Sequence, residues 1–254
     1  MEKLILITND DGIQATGLKA LTEVAGLFGK VIVVSSTEGM SGMSHAITVK
    51  APIRVNKIEE NEKLIRYSCT GTPVDCVKMA VNQLLKRKPE LLLSGFNHGS
   101  NSSTSVVYSG TMAAAMEGII NDIPAIGFSL LNHSPQADFT VAKIIAEKII
   151  RKALERGIPR WVCLNVNIPS KQLHEIKEIR ICRQTRGYWK EEFDKRVDPA
   201  GSDYYWLTGT FEDRESLSTD TDEYALKNDF VSIVPTQFDL TAYNAINELK
   251  EWNL

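Results

Sequence analysis

Five short apolar runs, Leu4 to Thr8, Val31 to Val34, Leu91 to Ser94, Ala125 to Ser129 and Val162 to Val166, are continuous rather than alternating. A strand that is apolar at every position has no face to give to water, so it belongs inside a parallel sheet covered on both sides. Helical apolar spacing fills the intervals, at Leu18 to Leu27, Val74 to Leu85, Met112 to Ile120 and Phe139 to Leu154; the last carries a stripe of Val141, Ile144, Ile145, Ile149 and Leu154. Strand and helix in alternation predict a doubly wound, Rossmann-like α/β fold with a mostly parallel sheet. With 254 residues, 43% of them hydrophobic, the chain can bury a full core without disulfides.

Beyond Ile179 the pattern changes. Arg183 to Asp222 crowds Tyr188, Trp189, Tyr204, Tyr205 and Trp206 among acids and turn formers with no helical period. This reads as a small antiparallel elaboration on the core, or as an arm reaching another subunit. The expected division is residues 1–180 as the Rossmann-like catalytic core and 181–254 as a β-rich C-terminal extension with an oligomerisation arm, packed as one unit.

A net charge of -3 gives no basic stripe for a polynucleotide backbone, so duplex nucleic acid is not an expected partner. Cys69, Cys76, Cys163 and Cys182 form no Cys-x-x-Cys pair, which argues for buried thiols rather than zinc or dithiol chemistry. The first apolar run is too short for a signal peptide, and no run reaches the roughly 18 residues of a membrane helix. The expected setting is the cytoplasm, away from membranes.

The first run ends in Asn9-Asp10-Asp11-Gly12. Ligands of open α/β sheets bind beyond the carboxyl ends of strands, and Gly12 gives the chain freedom to turn both acids toward one point. Two adjacent carboxylates repel unless a cation lies between them, and a hard divalent ion such as Mg²⁺ or Mn²⁺ suits oxygen ligands. Asp-Asp-Gly alone is equally a turn or a helix cap, but other strand ends also carry small polar residues: Gly39-Met40-Ser41-Gly42-Met43-Ser44-His45, and Ser94-Gly95-Phe96-Asn97-His98-Gly99-Ser100-Asn101. Tyr108-Ser109-Gly110-Thr111 leads into a helix, where free N–H groups favour an anion such as phosphate; Thr70-Gly71-Thr72-Pro73 does the same or is a plain cap. Residues 31–49 and 94–118 contain no Lys or Arg, so a phosphate here must find positive charge elsewhere, and a cation on Asp10 and Asp11 would supply it.

These motifs resemble the SurE family of nucleoside monophosphate phosphatases: Asn9-Asp10-Asp11-Gly12, Ser41-Gly42, Thr70-Gly71-Thr72-Pro73, Ser94-Gly95-Phe96-Asn97-His98-Gly99, and Tyr108-Ser109-Gly110-Thr111 running on to Glu117-Gly118. Ile123-Pro124-Ala125-Ile126, Leu164-Asn165-Val166-Asn167-Ile168-Pro169, Tyr204-Tyr205-Trp206-Leu207 and Thr219-Asp220-Thr221-Asp222 extend the likeness along the chain. The resemblance implies one divalent cation per subunit on Asp10, Asp11, Ser41 and Asn97, hydrolysis of nucleoside 5′- and 3′-monophosphates, and homodimers or homotetramers that exchange C-terminal arms. The chain departs from the family pattern at Ser35-Ser36, where Ala-Pro is usual, and at Ser105, where an acid is usual. Neither departure falls on a ligand position, so substrate preference rather than chemistry is expected to change.

The expected reaction is phosphomonoester hydrolysis, a 5′-nucleotidase activity with Asp10, Asp11 and Asn97 as catalytic residues. Ser41, Gly42, Asn97, Ser109, Gly110 and Thr111 would meet the phosphate, and His45 or His98 could protonate the leaving alkoxide. The alternative is a nucleotide-binding regulator without turnover, which would have no use for paired carboxylates. No Gly-x-Gly-x-x-Gly or Gly-x₄-Gly-Lys-Ser/Thr follows any strand, against a dinucleotide oxidoreductase or a nucleoside triphosphatase.

Overall fold

The computed structural model describes residues 2–252. Its first strand, β1 (Leu4–Thr8), is buried at all five positions, as its unbroken apolar sequence requires. Leu4 and Leu6 pack into one cluster and Ile5 and Ile7 into another, since successive side chains leave a strand on opposite faces. On the Ile5 side lie α1 (Thr16–Ala25) and α5 (Thr140–Arg156), through Leu18, Leu21, Ile145 and Ile149; on the Leu6 side lie α2 (Pro73–Met79) and α4 (Gly110–Ile120), through Val77, Met112 and Ile119. Each such fully buried aliphatic side chain contributes about 1.5–3 kcal/mol.

The parallel core of the sheet runs β4 (Leu64–Cys69), β2 (Lys30–Ser36), β1, β5 (Leu91–His98), β6 (Ala125–Leu130), β7 (Cys163–Ile168). An antiparallel β3 (Val55–Glu60) closes one edge. At the other edge β11 (Val231–Thr236) pairs antiparallel to β7 and parallel to the short β8 (Ile179–Ile181), which completes nine strands. The doubly wound reading therefore holds, with mixed edges. Strand order reverses at β1, whose neighbours β2 and β5 lead to opposite halves of the sheet, so the crevice beyond β1 and β5 is the place for a ligand.

The five expected strands all form: β1 keeps its expected bounds, β2, β5 and β6 run beyond theirs, and β7 starts one residue late, at Cys163, and ends at Ile168. The helix expected over Val74 to Leu85 is α-helical only to Met79 and ends in a π-helical turn, Ala80–Leu84. The aromatic-rich segment folds as a separate two-stranded ribbon, β9 (Gly187–Val197) with β10 (Asp203–Asp213), which exposes Phe193, Tyr205, Trp206 and Leu207. Next come α6 (Asp222–Lys227), which leads into β11, and a last short helix, α7 (Ile246–Lys250). No described helix is long and apolar enough to cross a membrane.

Candidate active site

The chain leaves β1 through a bend that ends at Gly12, with φ of 94°, a left-handed conformation that suits glycine. The Asn9 amide fastens this bend by donating to Gly12 O at 3.1 Å, while the Ser35 hydroxyl at the end of β2 donates to Asn9 Oδ1 at 2.5 Å. Asp10 points into the sheet end and is 3% exposed. A Cβ on Gly110 would come within 2.8 Å of Asp10 Cβ, so the absence of a side chain there lets the first turn of α4 close onto the carboxylate.

Asp10 thus stands at the N-terminus of α4, where it accepts the Thr111 hydroxyl at 2.5 Å. Burial pushes its carboxyl up to about 6 against the pull of Thr111, and the charge of Asp11 adds to the rise. Asp11 accepts the backbone N–H of His98 at 3.3 Å; burial raises it as well, partly offset by His98. No Lys or Arg pairs with either acid among the described ion pairs. Asn97, in β5, donates its amide to Gly99 O at 2.9 Å, which leaves its carbonyl oxygen for a ligand. The backbone N–H of Met40 donates to the backbone O of Asp10 at 2.7 Å, which ties the start of the Ser41-Gly42 loop to the bend after β1.

The carboxylates of Asp10 and Asp11 and the open amide oxygen of Asn97, with Ser41 in the tethered loop, are oxygen donors of the kind that suit a hard divalent cation. Among the described residues no group of three or more His, Cys, Asp or Glu converges, so the set would consist of two charged and otherwise neutral oxygens.

The turn expected to face phosphate differs in one respect from its sequence reading. Ser109 caps α4 by accepting Met112 N at 3.0 Å, and the Thr111 hydroxyl is committed to Asp10, so the groups left for an anion are the Gly110 N–H and the Ser109 hydroxyl hydrogen. The second candidate helix end is closed. Asp75 accepts Thr72 N at 3.0 Å, and Thr72 Oγ1 accepts Asp75 N at 3.1 Å, a capping box that occupies the entry to α2 with the chain's own acid.

The two loop histidines part ways. His45 Nε2 lies 3.1 Å from Glu117 Oε2, two turns down α4, and is therefore turned away from the phosphate-facing end. His98 stays by Asp11, edge-on to Phe139, with Nδ1 buried and unpartnered. Glu117 is 2% exposed and also accepts Lys78 Nζ at 2.8 Å and Asn121 Nδ2 at 2.9 Å. Burial alone would raise its carboxyl, but the bonds from His45, Lys78 and Asn121 hold it below its ordinary value. Sequence reasoning quoted Glu117 without giving it a role, although it is the one acid in residues 94–118. It also passed over His133, whose ring lies against Gly99.

Comparisons with known proteins show the family of the chain. A family model described as Survival protein SurE matches residues 5–191. A 5'-nucleotidase SurE of Flavobacterium psychrophilum is 52% identical over 99% of this chain and 98% of its own length, and one of Phocaeicola vulgatus is 45% identical over 99% and 97%. The crystal structure of the SurE protein from Aquifex aeolicus superposes with a TM-score of 0.85 at 36% identity, covering 99% of this chain and all of that one. In sequence along nearly its whole length and in fold, the chain belongs to the SurE family.

Proposed function

We propose that the protein is a metal-dependent phosphatase that releases phosphate from nucleoside 5′-monophosphates, and from 3′-monophosphates as well. The observation that carries this reading is the Asp10-Asp11 pair, Asp10 buried against the N-terminus of α4 and Asp11 partly buried, with no Lys or Arg among the described ion partners of either. The name of the relatives, 5'-nucleotidase, supports it. A regulator without turnover would gain nothing from holding two carboxylates together at a cost in burial.

Asp10, Asp11, Ser41 and Asn97 would hold the cation. When bound, it supplies the positive charge absent from the surrounding loops and makes water a better nucleophile. The chain does the rest. The Gly110 N–H and Ser109 hydroxyl would orient phosphoryl oxygens, joined by Ser41 and Gly42; donors set in place before substrate arrives are where most of the gain in phosphoryl transfer lies. Thr111 serves the site by holding Asp10 in place. Asp11, less buried than Asp10, has an oxygen free to take the proton of the attacking water.

In this reading residues 181–254 are the C-terminal extension, which contributes β11 to the core sheet, and the β9–β10 ribbon is the arm through which subunits pair as dimers or tetramers. Its exposed aromatics favour an interface. Four unpaired cysteines suit the reducing cytoplasm. A phosphate-release screen over 5′- and 3′-monophosphates, with Mg²⁺, Mn²⁺ or chelator, tests the proposal. Release that requires the cation supports it; no release from any nucleotide with either cation overturns it.

A further inference from the structure

The two sides of the sheet are not covered alike. On the Leu6 side α2, the one-turn α3 (Ser105–Tyr108) and α4 pack through Val77, Val106 and Met112, and Ile65 and Tyr67 of β4 lean on the same cluster. On the Ile5 side α1 and α5 cover the middle of the sheet, and β4 turns Leu64 and Arg66 to that side, both half-buried. Between α1 and β4 a cleft of about 540 Å³ remains.

Its floor is aliphatic, made by Ile13, Leu18, Val31 and Leu64. Its rim is charged. Lys19 comes from α1, Lys63 from the β3–β4 connection and Arg66 from β4 itself, with Glu23 and Glu59 on the same rim. Both acids already have partners: Glu23 accepts Lys143 Nζ at 3.1 Å, and Glu59 accepts Arg66 Nη1 at 3.4 Å. Among the described residues the Lys19 and Lys63 ammonium groups have no partner. Two uncompensated cations over an apolar floor are complementary to an anion with a hydrocarbon body, and the volume lies within the range of about 300–1,000 Å³ usual for small-molecule sites. No aromatic side chain is among the described residues that line the cleft, so a nucleobase finds no stacking face and an aliphatic ligand is the better match.

The cleft also touches the frame of the candidate site. Arg66 Nη2 donates to Ile13 O at 2.9 Å, and the Ile13 N–H donates to Ser36 O at 2.8 Å. Ile13 follows Gly12, so these bonds fasten the chain immediately after the bend that carries Asp10 and Asp11. An anion in the cleft competes with Ile13 O for the Arg66 guanidinium, and a charge-assisted bond is roughly twice as strong as one to a neutral carbonyl. That competition supplies the differential affinity through which a ligand shifts one arrangement toward another.

We infer that this cleft is an effector site for a small aliphatic anion, with its chain against Leu18, Val31 and Leu64 and its head at Lys19, Lys63 and Arg66, and that occupancy loosens the bend after β1 and slows hydrolysis. The effect on rate rests on the nucleotidase reading; the site itself does not.

The test uses the full chain, with octanoate and octanesulfonate as probes of a carboxylate and a tetrahedral anionic head, and 1-octanol as the uncharged control. Neither anion carries a phosphate to hydrolyse. Titration calorimetry measures binding, and phosphate release from adenosine 5′-monophosphate is followed with and without each probe. One anion or both are expected to bind at least tenfold tighter than octanol and to lower kcat/KM at least threefold; the tighter of the two identifies the head. Lys19→Glu and Lys63→Glu reverse charges at exposed positions, where folding tolerates the change. Each is expected to weaken binding at least tenfold and to abolish the effect on rate. No binding of either anion, equal binding of octanol, or binding untouched by both charge reversals overturns the site. Binding that leaves kcat/KM unchanged overturns the coupling. A smaller species of Lys63→Glu in light scattering, with no anion bound by the wild type, gives the face to a second copy of the chain and likewise overturns the site. If the wild type releases no phosphate, the nucleotidase reading fails separately, and calorimetry still decides the cleft.

Discussion

The Ser35 hydroxyl donates to Asn9 Oδ1 at 2.5 Å, and through Asn9 it reaches the bend that aims Asp10 and Asp11. Ser35 is one of the positions at which the chain departs from the family pattern, so the departure touches the frame of the candidate site even though it misses the proposed ligands. Ser35→Ala leaves a buried amide oxygen without its donor, which costs about 1–3 kcal/mol. The Asn9 amide still holds Gly12 O, so divalent-cation affinity is expected to fall less than tenfold. Thermal unfolding and a calorimetric metal titration check both halves; a large loss of affinity without a loss of stability would contradict the argument.

Glu117 joins α4, α2 and the Ser41 loop through one buried carboxylate. Its folded-state value lies below the ordinary 4.5, so its contribution is present above that value and is lost as the pH falls through the lower folded one. Glu117→Gln keeps the shape but weakens the bonds from His45 and Lys78, each charge-assisted bond being worth about 1.5–3 kcal/mol. Denaturant melts of wild type and variant should differ at pH 7 and converge as the pH falls through the lowered folded-state value of Glu117. A difference that is constant with pH would show that the charge of Glu117 is not what matters.

Attack by water rather than by an aspartate is expected, because adjacent acids that share one cation have their lone pairs drawn toward it. Asp10 spends one oxygen on Thr111 and Asp11 one on the His98 N–H, and the two residues are adjacent rather than spaced as an attacking acid and its helper. Rapid acid quench with ³²P-labelled nucleotide is expected to leave no label on the protein, and a chiral phosphorus to invert. Hydroxylamine-labile label on Asp10 or Asp11 would overturn direct hydrolysis.

Lys190 and Thr210 face each other in the β9–β10 ribbon, so residues 191–209 can be removed and the ends joined by a two-residue Asn-Gly turn without disturbing the rest. The wild type is expected to be a dimer or a multiple of one at micromolar concentration in light scattering, and the shortened chain a smaller species. A monomeric wild type would remove the ribbon from the assembly.

Much of this site was legible in the sequence because the fold class places it. Continuous apolar runs specify a covered parallel sheet, and such a sheet presents the ends of β1 and β5, hence Asp10, Asp11 and Asn97, at the reversal of strand order. The half-exposed strands were harder to read. β3 and β4 carry charges such as Lys57, Glu59 and Arg66 on partly exposed backbone, and β11 holds Pro235. Partners distant in sequence escaped notice as well: Thr111 on Asp10, 101 residues apart, and His45 on Glu117, 72 apart, depend on how helices settle on the sheet. Single residues carry no periodic signal of that kind.

The central claim is that the carboxylates after β1 form a divalent-cation site on which hydrolysis depends. Titration of Mn²⁺ into wild type and Asp10→Asn, followed by calorimetry with phosphate release from adenosine 5′-monophosphate measured on the same samples, tests it most directly. The account expects one site per chain in the wild type. In the variant, which keeps the Thr111 contact and so its fold, it expects binding to be lost and activity to fall by several orders of magnitude. Equal Mn²⁺ binding by both proteins, or full activity in excess chelator, would contradict it.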